Sequence, residues 1–428
     1  MERVGIGLLG YGTVGSGVGA LLRESADEIK LATGKEVYLR RVLELEPELV
    51  LRDGFDPSIV TSDFADIVND PEIAVVVELI GGIEPARTFQ LAALKAGKAV
   101  VTANKQLLSQ HGAELLQTAE DAGTYLRFEA SSVGAVPIVK VLRESLAAAN
   151  VTSVMGIVNG TTNYILSAMA QTGAEYGPTL KKAQELGFAE ADPTDDVGGK
   201  DAAAKMAILA SIAFHSRVSL ADVTYEGIES ITDVDVAHGR ELGLVPKLLG
   251  VAKLIDGRMN VRVYPCFIPI AHPLASVSGA YNAVFLESET FDKIMLFGPG
   301  AGGTPTASAV IGDIISIVNT APGGFIRNCT CYKKLGFFPN DEVVSHFYLR
   351  LQVADEPGVL AQVAGLFGDE GVSIQAMQQI GQENSAQLVL VLHRVPEASF
   401  FRALERITAL SVVRGAPSVI RLEGDDAR

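Results

Sequence analysis

The segment that most constrains this chain lies at its start. An apolar run over residues 4–9 leads into Gly10-Tyr11-Gly12-Thr13-Val14-Gly15, and a helical stretch follows over 13–23. A G-x-G-x-x-G between a strand and a helix opens an α/β domain. Its first glycine permits a tight turn, its second lets the backbone approach a pyrophosphate, and its third lets helix and strand pack closely. The helix N-terminus adds N–H donors and a partial positive charge. Gly10, Gly12, Thr13, Val14 and Gly15 are therefore expected to hold NAD or NADP. Out of this context the motif would be an ordinary glycine-rich βα turn.

An acid at the end of the second strand would take the ribose hydroxyls. Glu44 is the candidate, and its distance from the turn requires a longer helix or loop across 20–34. It favours NAD, whereas Arg40 and Arg41 beside it could hold a 2′-phosphate. Strands are predicted at 37–43, 74–79, 99–102 and 125–128, with helices at 84–96 and 105–121. That alternation implies a Rossmann-type parallel sheet covered on both faces, spanning 1–150.

Residues 151–335 read as an α/β catalytic and dimerisation domain. A strand at 153–158 precedes helices at 162–171, 179–186 and 200–214. Apolar alternating runs follow at 260–267, 282–287 and 293–297, then a helix at 306–319. After a linker at 336–341, residues 345–428 show strands at 346–353, 372–380, 386–392 and 411–421, with helices at 357–370 and 396–408. This is a β-α-β-β-α-β arrangement.

Composition removes several function classes. Thirty-five Lys and Arg against 51 Asp and Glu give a net charge of −16, which disfavours nucleic acid and anionic lipid as partners. No apolar run reaches the ~18 residues of a membrane span; the longest, 73–83, carries Glu78 and two glycines. The N-terminus lacks the features of a signal peptide. Three cysteines argue against a disulfide framework, and the cytoplasm is the expected compartment. Neither the six histidines nor Cys329-Thr330-Cys331 has a recognised metal spacing.

Residues 183–205 concentrate charge. Glu190, Asp192, Asp195 and Asp196 crowd a Pro/Gly loop, where like charges repel unless solvated or paired. Asp201 and Lys205 stand at i and i+4 and share a helix face. Lys205 precedes the apolar stretch 206–210. By spacing alone the pair also reads as a surface ion pair worth a few tenths of a kcal/mol.

This segment resembles the homoserine dehydrogenase signature from Ala183 through Lys205. Similar stretches are Val101-Thr102-Ala103-Asn104-Lys105, Asn159-Gly160-Thr161-Thr162-Asn163-Tyr164-Ile165-Leu166, Gly298-Pro299-Gly300-Ala301-Gly302 and Pro305-Thr306-Ala307-Ser308-Ala309-Val310. The resemblance implies NAD(P)H-dependent, reversible reduction of aspartate 4-semialdehyde to homoserine, in threonine, methionine and isoleucine biosynthesis. It makes Lys205 the proton donor and Lys105 a second active-site lysine touching cofactor and substrate. Glu190 would bind the substrate ammonium, with Asp196 and Asp201 as further anchors. Gly302 and Gly303 would approach the cofactor, unless packing alone demands them.

The loop 129–137 resembles the family's monovalent-cation loop, although it is poorer in glycine. Glu129 would supply a carboxylate, and Ser132, Gly134 and Val136 carbonyls, to Na+ or K+; a plain strand-to-helix loop is the alternative. The C-terminal unit resembles an ACT domain, with Asp355-Glu356-Pro357-Gly358-Val359-Leu360 as its ligand-binding turn. An amino-acid effector and a homodimer or homotetramer are the implied partners. Two rival readings remain. A phosphorylating semialdehyde dehydrogenase needs an activated cysteine, and all three cysteines lie outside these motifs. An amino-acid sensor would not need the intact 183–205 segment.

Overall fold

The structure, a computed structural model, describes residues 2–320, 329–382 and 385–424. Residues 321–328, within the sequence's middle region, lie outside that description. By packing, the chain falls into two units, each drawn from several stretches. One comprises Met1–Val158, Ala202–Val223 and Asn282–Lys334; the other comprises Asn159–Asp201, Thr224–Tyr281 and Leu335–Arg428.

The first unit holds six parallel strands: β1 (Arg3–Leu9), β2 (Glu36–Leu43), β3 (Val60–Thr61), β4 (Ile73–Glu78), β5 (Ala99–Thr102) and β6 (Leu126–Arg127). Their order is β3-β2-β1-β4-β5-β6, the doubly wound arrangement. The central strands are runs of Val, Ile and Leu buried on both faces, as helices on each side of the sheet require. The winding reverses between β1 and β4, so a crevice opens beyond their carboxyl ends. The stretch 20–34 resolves into two helices, Thr13–Glu24 and Ala26–Thr33, which account for the distant Glu44.

Helix Gly303–Asn319 joins this core from far along the chain. Its Ala307, Val310, Ile311 and Ile314 pack in one cluster with Ile6, Leu8, Val18 and Val75. The same unit contains strand Val151–Ile157, antiparallel to Tyr281–Ser288.

In the second unit, Leu244–Ile255 and Arg258–Pro269 form an antiparallel hairpin. Its tip is Asp256 and Gly257, both left-handed at φ 50° and 72°, as a twisted two-residue hairpin demands. The Arg258–Pro269 strand pairs in parallel with Val413–Leu422 through Cys266 and Phe267. From there the sheet continues through Val344–Ala354 and Ser385–Pro396 to Ile374–Gln382. Helices Val359–Asp369 and Glu397–Thr408 pack on these strands around Phe347, Leu349, Val363 and Phe400, with the Phe347 and Phe400 rings stacked 3.8 Å apart. The β-α-β-β-α-β order is as the sequence indicated.

Buried ion clusters hold this unit together. Glu397 accepts from Arg262 at 2.6 Å, Arg421 at 2.9 and 3.0 Å and Ser345 at 2.6 Å. Burial pushes its carboxyl up, but the bonds and charges of Arg421 and Arg262 outweigh that and bring it down to about 2. Asp235, fully buried, accepts from Arg350 at 2.6 Å.

Candidate active site

The glycine turn stands at the carboxyl end of β1, beside the switch point. Gly10 has φ +90°, a conformation open to glycine at little cost. A Cβ on Gly15 would meet the Gly10 carbonyl oxygen at 2.2 Å, whereas one on Gly12 would enter open space. Gly15 thus lets the helix start against its strand, and Gly12 leaves room for a ligand. Helix Thr13–Glu24 begins with no side-chain cap and no acid in its first turn. A dinucleotide's pyrophosphate fits this cradle: backbone N–H groups and the helix dipole face the space beyond Gly12.

Glu44 follows β2 directly, and its carboxylate accepts from the Tyr11 amide at 2.7 Å and from Leu45 and Glu46 amides at 2.8 and 3.1 Å. The turn and its acid are therefore physically joined. Arg40 is committed to Asp70 and Glu72 at 2.9 and 2.7 Å, and Arg41 donates to the Ser58 carbonyl. Neither arginine stands unpaired beside Glu44. Helix Gly303–Asn319 starts next to the same turn. A Cβ on Gly303 would lie 2.9 Å from the Thr13 carbonyl oxygen, so this glycine is required by helix packing at that spot.

Lys105 opens the helix after β5, Lys105–Asp121, which Asn104 caps by accepting from the Leu107 amide at 3.0 Å. Asn104 also donates to the Gly82 carbonyl at 2.7 Å. The Lys105 backbone is thus fixed at the rim of the crevice.

The acids of 190–201 separate by role. Asn159 donates to Asp196 at 2.7 Å and to Asp201 at 2.9 Å, drawing those two together. Asp195 pairs with Lys200 at 3.0 Å, and Asp192 accepts from the Thr194 hydroxyl and amide. Glu190 is exposed, and its carbonyl is held by Gln184. Lys205 lies one turn beyond Asp201 on helix Lys200–Ala213 and is 8% exposed; its ammonium donates to the Val158 carbonyl at 2.7 Å. An ammonium so withdrawn from water is fixed in place and has fewer water molecules to compete for its protons.

Around Glu129 the loop is tightly folded. Its carboxylate accepts from the Val139 and Lys140 amides at 2.8 and 2.7 Å, and its own amide donates to Asp313 at 2.8 Å. Burial, then the Asp313 charge, pushes the Glu129 carboxyl up to about 7. Gly134 passes so near Gly300 that a Cβ would lie 2.5 Å from its carbonyl. The buried Ser132 hydroxyl has no hydrogen-bond partner among the described residues, and the Val136 carbonyl accepts from the Ile138 amide at 2.8 Å. The set can offer hard oxygen to a monovalent cation. Among the described residues, no three His, Cys, Asp or Glu side chains converge as metal ligands, but a site made mostly of carbonyls does not need them.

Three family models match the chain: homoserine dehydrogenase over 137–315, its NAD-binding domain over 10–129, and an ACT domain over 347–412. A homoserine dehydrogenase of Corynebacterium glutamicum is 44% identical over 99% of this chain and 96% of its own. The chain belongs to the homoserine dehydrogenase family. A crystal structure of a homoserine dehydrogenase from Thiobacillus denitrificans superposes with a TM-score of 0.94, at 39% identity and 99% of both chains. A hyperthermophilic archaeal homoserine dehydrogenase in complex with NADPH matches 75% of this chain and 99% of its own, at 25% identity and a TM-score of 0.64. Membership makes the chain an NAD(P)-dependent oxidoreductase carrying an ACT domain.

Within this homoserine dehydrogenase fold, sequence reasoning passed over Glu78 and Lys247, both buried charges. Glu78, at the end of β4, is fully buried and accepts from Thr102 at 2.8 Å, Gln90 at 2.7 Å and the Ile80 and Gly81 amides. It shapes the loop that Asn104 also holds through Gly82. An acid closing an apolar strand was the available signal. Lys247 is 1% exposed, donating to Asn163 at 2.9 Å and to the Val277 carbonyl; burial lowers its ammonium to about 8. Nothing in its apolar surroundings marked it.

Proposed function

We propose that the chain reduces aspartate 4-semialdehyde to homoserine with NADH or NADPH and catalyses the reverse oxidation, serving amino-acid biosynthesis in the cytoplasm. The observation that carries the reading is the buried Lys205 ammonium, held by the Val158 carbonyl one turn from Asp201. A nicotinamide cofactor, when bound, would supply or accept the hydride. Lys205 gives its proton to the carbonyl oxygen as negative charge develops there, and in the oxidation it takes that proton back. Lys105 adds positive charge beside cofactor and substrate. Asp196 and Asp201, oriented by Asn159, anchor the amino-acid end, and Glu190 reaches the substrate ammonium from its exposed position. Gly10, Gly12, Thr13, Val14 and Gly15 would hold the pyrophosphate, with Gly302 and Gly303 approaching the cofactor and Glu44 taking the ribose hydroxyls.

A sodium or potassium ion held by Glu129 and the carbonyls of Ser132, Gly134 and Val136 would offset the buried negative charge of Glu129 and Asp313. The chain works as a homodimer or homotetramer, and the turn at 355–360 takes an amino-acid effector. The test is semialdehyde-dependent oxidation of NADH and NADPH by the pure chain. Turnover with either supports the enzyme. Binding of amino acids without turnover on either cofactor would leave a sensor instead.

A further inference from the structure

Cys329 and Cys331 are partly exposed, while Cys266 is buried. The Cys331 amide donates to the Cys329 sulfur at 3.3 Å, so the first side chain already faces the second residue. Cys329 lines a cavity of about 180 Å³ together with Ser109, Leu116, Arg143, Ile212 and Arg217. The segment also ties two helices together. The Cys329 amide donates to Glu120 on helix Lys105–Asp121 at 3.2 Å, and the Cys331 sulfur lies 3.6 Å from the Ser211 carbonyl, its single proton shared between that oxygen and the Cys329 sulfur. Ser211 lies on the helix that carries Lys205. Bonds from the Cys331 thiol and amide, aided by the Arg217 charge, outweigh burial and bring the Cys329 thiol down to about 6. Holding that bond pushes Cys331 up. One sulfur is thus a nucleophile near neutral pH and its neighbour a reserve thiol.

We propose that Cys329 and Cys331 form a thiol–disulfide site that reacts with low-molecular-weight disulfides and acts on the Lys205 helix. The Cys329 thiolate attacks one sulfur of the small disulfide and expels its other half as a thiolate. The Cys331 thiol then gives up its proton, attacks the Cys329 sulfur and expels the second half. The protein loses two electrons and two protons, and the small disulfide becomes two thiols. The new bond takes the Cys331 sulfur away from the Ser211 carbonyl and loosens the last turn of that helix.

Oxidised glutathione added to the reduced full chain is the test, read by intact mass and peptide mapping after acid quench. Wild type should end with a Cys329–Cys331 disulfide and an untouched Cys266. Cys331→Ser should stop with one glutathione on Cys329, and Cys329→Ser should carry none at this pair. At pH 6 the first step should run about tenfold faster than for an ordinary cysteine, because the larger thiolate fraction outweighs the lower intrinsic nucleophilicity. Failure of Cys331→Ser to retain glutathione, or equal labelling of Cys266 in the folded chain, would overturn the site.

Turnover of the wild type should fall on oxidation and recover with dithiothreitol, while Cys329→Ser keeps its rate in either condition. A quantitative disulfide with undiminished turnover would overturn the link to the helix. That link rests on Lys205 as proton donor. A reduced chain with no activity would sink that reading, yet the mass measurement would still decide the thiol chemistry.

Discussion

After β1 the chain turns through Gly10–Gly15 into a helix whose first turn carries no acid. After Val344–Ala354 it turns through Asp355-Glu356-Pro357-Gly358 into helix Val359–Asp369, whose first turn also carries no acid, the two exposed acids preceding it. The two turns share a strand, a glycine with positive φ and a helix N-terminus. In the first, the Glu44 carboxylate takes the Tyr11 amide and the N–H groups at the helix start are left to an incoming anion; in the second, two exposed acids precede the helix, and Asp355 accepts from Gln379 at 3.4 Å. The regions also differ inside. Around the first turn the core is apolar, mainly aliphatic with Tyr11 among it, whereas the unit containing the second is cross-linked by Glu397 with Arg262 and Arg421 and by Asp235 with Arg350. A shared backbone device therefore does not fix its ligand; the residues set around it do.

If chemistry belongs to the first region and ionic stabilisation to the second, mutations should separate the two. Lys205→Ala should cut kcat by about 10²–10⁴, leaving cofactor affinity and melting temperature near wild type; a variant with near-normal kcat removes Lys205 from the mechanism. Glu397→Gln should do the reverse, costing about 3 kcal/mol in denaturant titrations because two arginines lose their buried partner, with kcat per folded molecule unchanged. Since the Glu397 carboxyl lies at about 2 in the fold, below the unfolded value near 4.5, its contribution is full above that value. It should fade as pH falls toward 2, and acid melts of wild type and Glu397→Gln should converge there.

A smaller effect is expected at Glu44. Glu44→Ala should raise the NADH KM about tenfold relative to that for NADPH, through lost charge-assisted bonds; a wild type with much better kcat/KM on NADPH would contradict its ribose role. Smallest is the cation. Replacing Na+ or K+ by choline should lower the melting temperature by about 2 °C, and Glu129→Gln should abolish that difference.

Much of the first sheet was legible because its strands are short apolar runs punctuated by glycine and helical periods. The strand Leu244–Ile255 was not. Pro246 and Lys247 interrupt it, and its residues from Pro246 to Ala252 are buried without alternation, so period-2 reasoning had nothing to grip. The Asp256-Gly257 pair after it was the missed hairpin cue. At the site, the pairing of Asp196 and Asp201 depends on Asn159, 37 and 42 residues away, a contact that spacing along a helix cannot reveal.

The central claim is that the first turn receives the dinucleotide's pyrophosphate, and nicotinamide fluorescence tests it directly. Titration of wild type and Gly12→Asp with NADH should show Kd about 100-fold weaker in the variant, which sets a carboxylate in the open space beyond Gly12. Equal affinity in the two proteins would place the cofactor elsewhere.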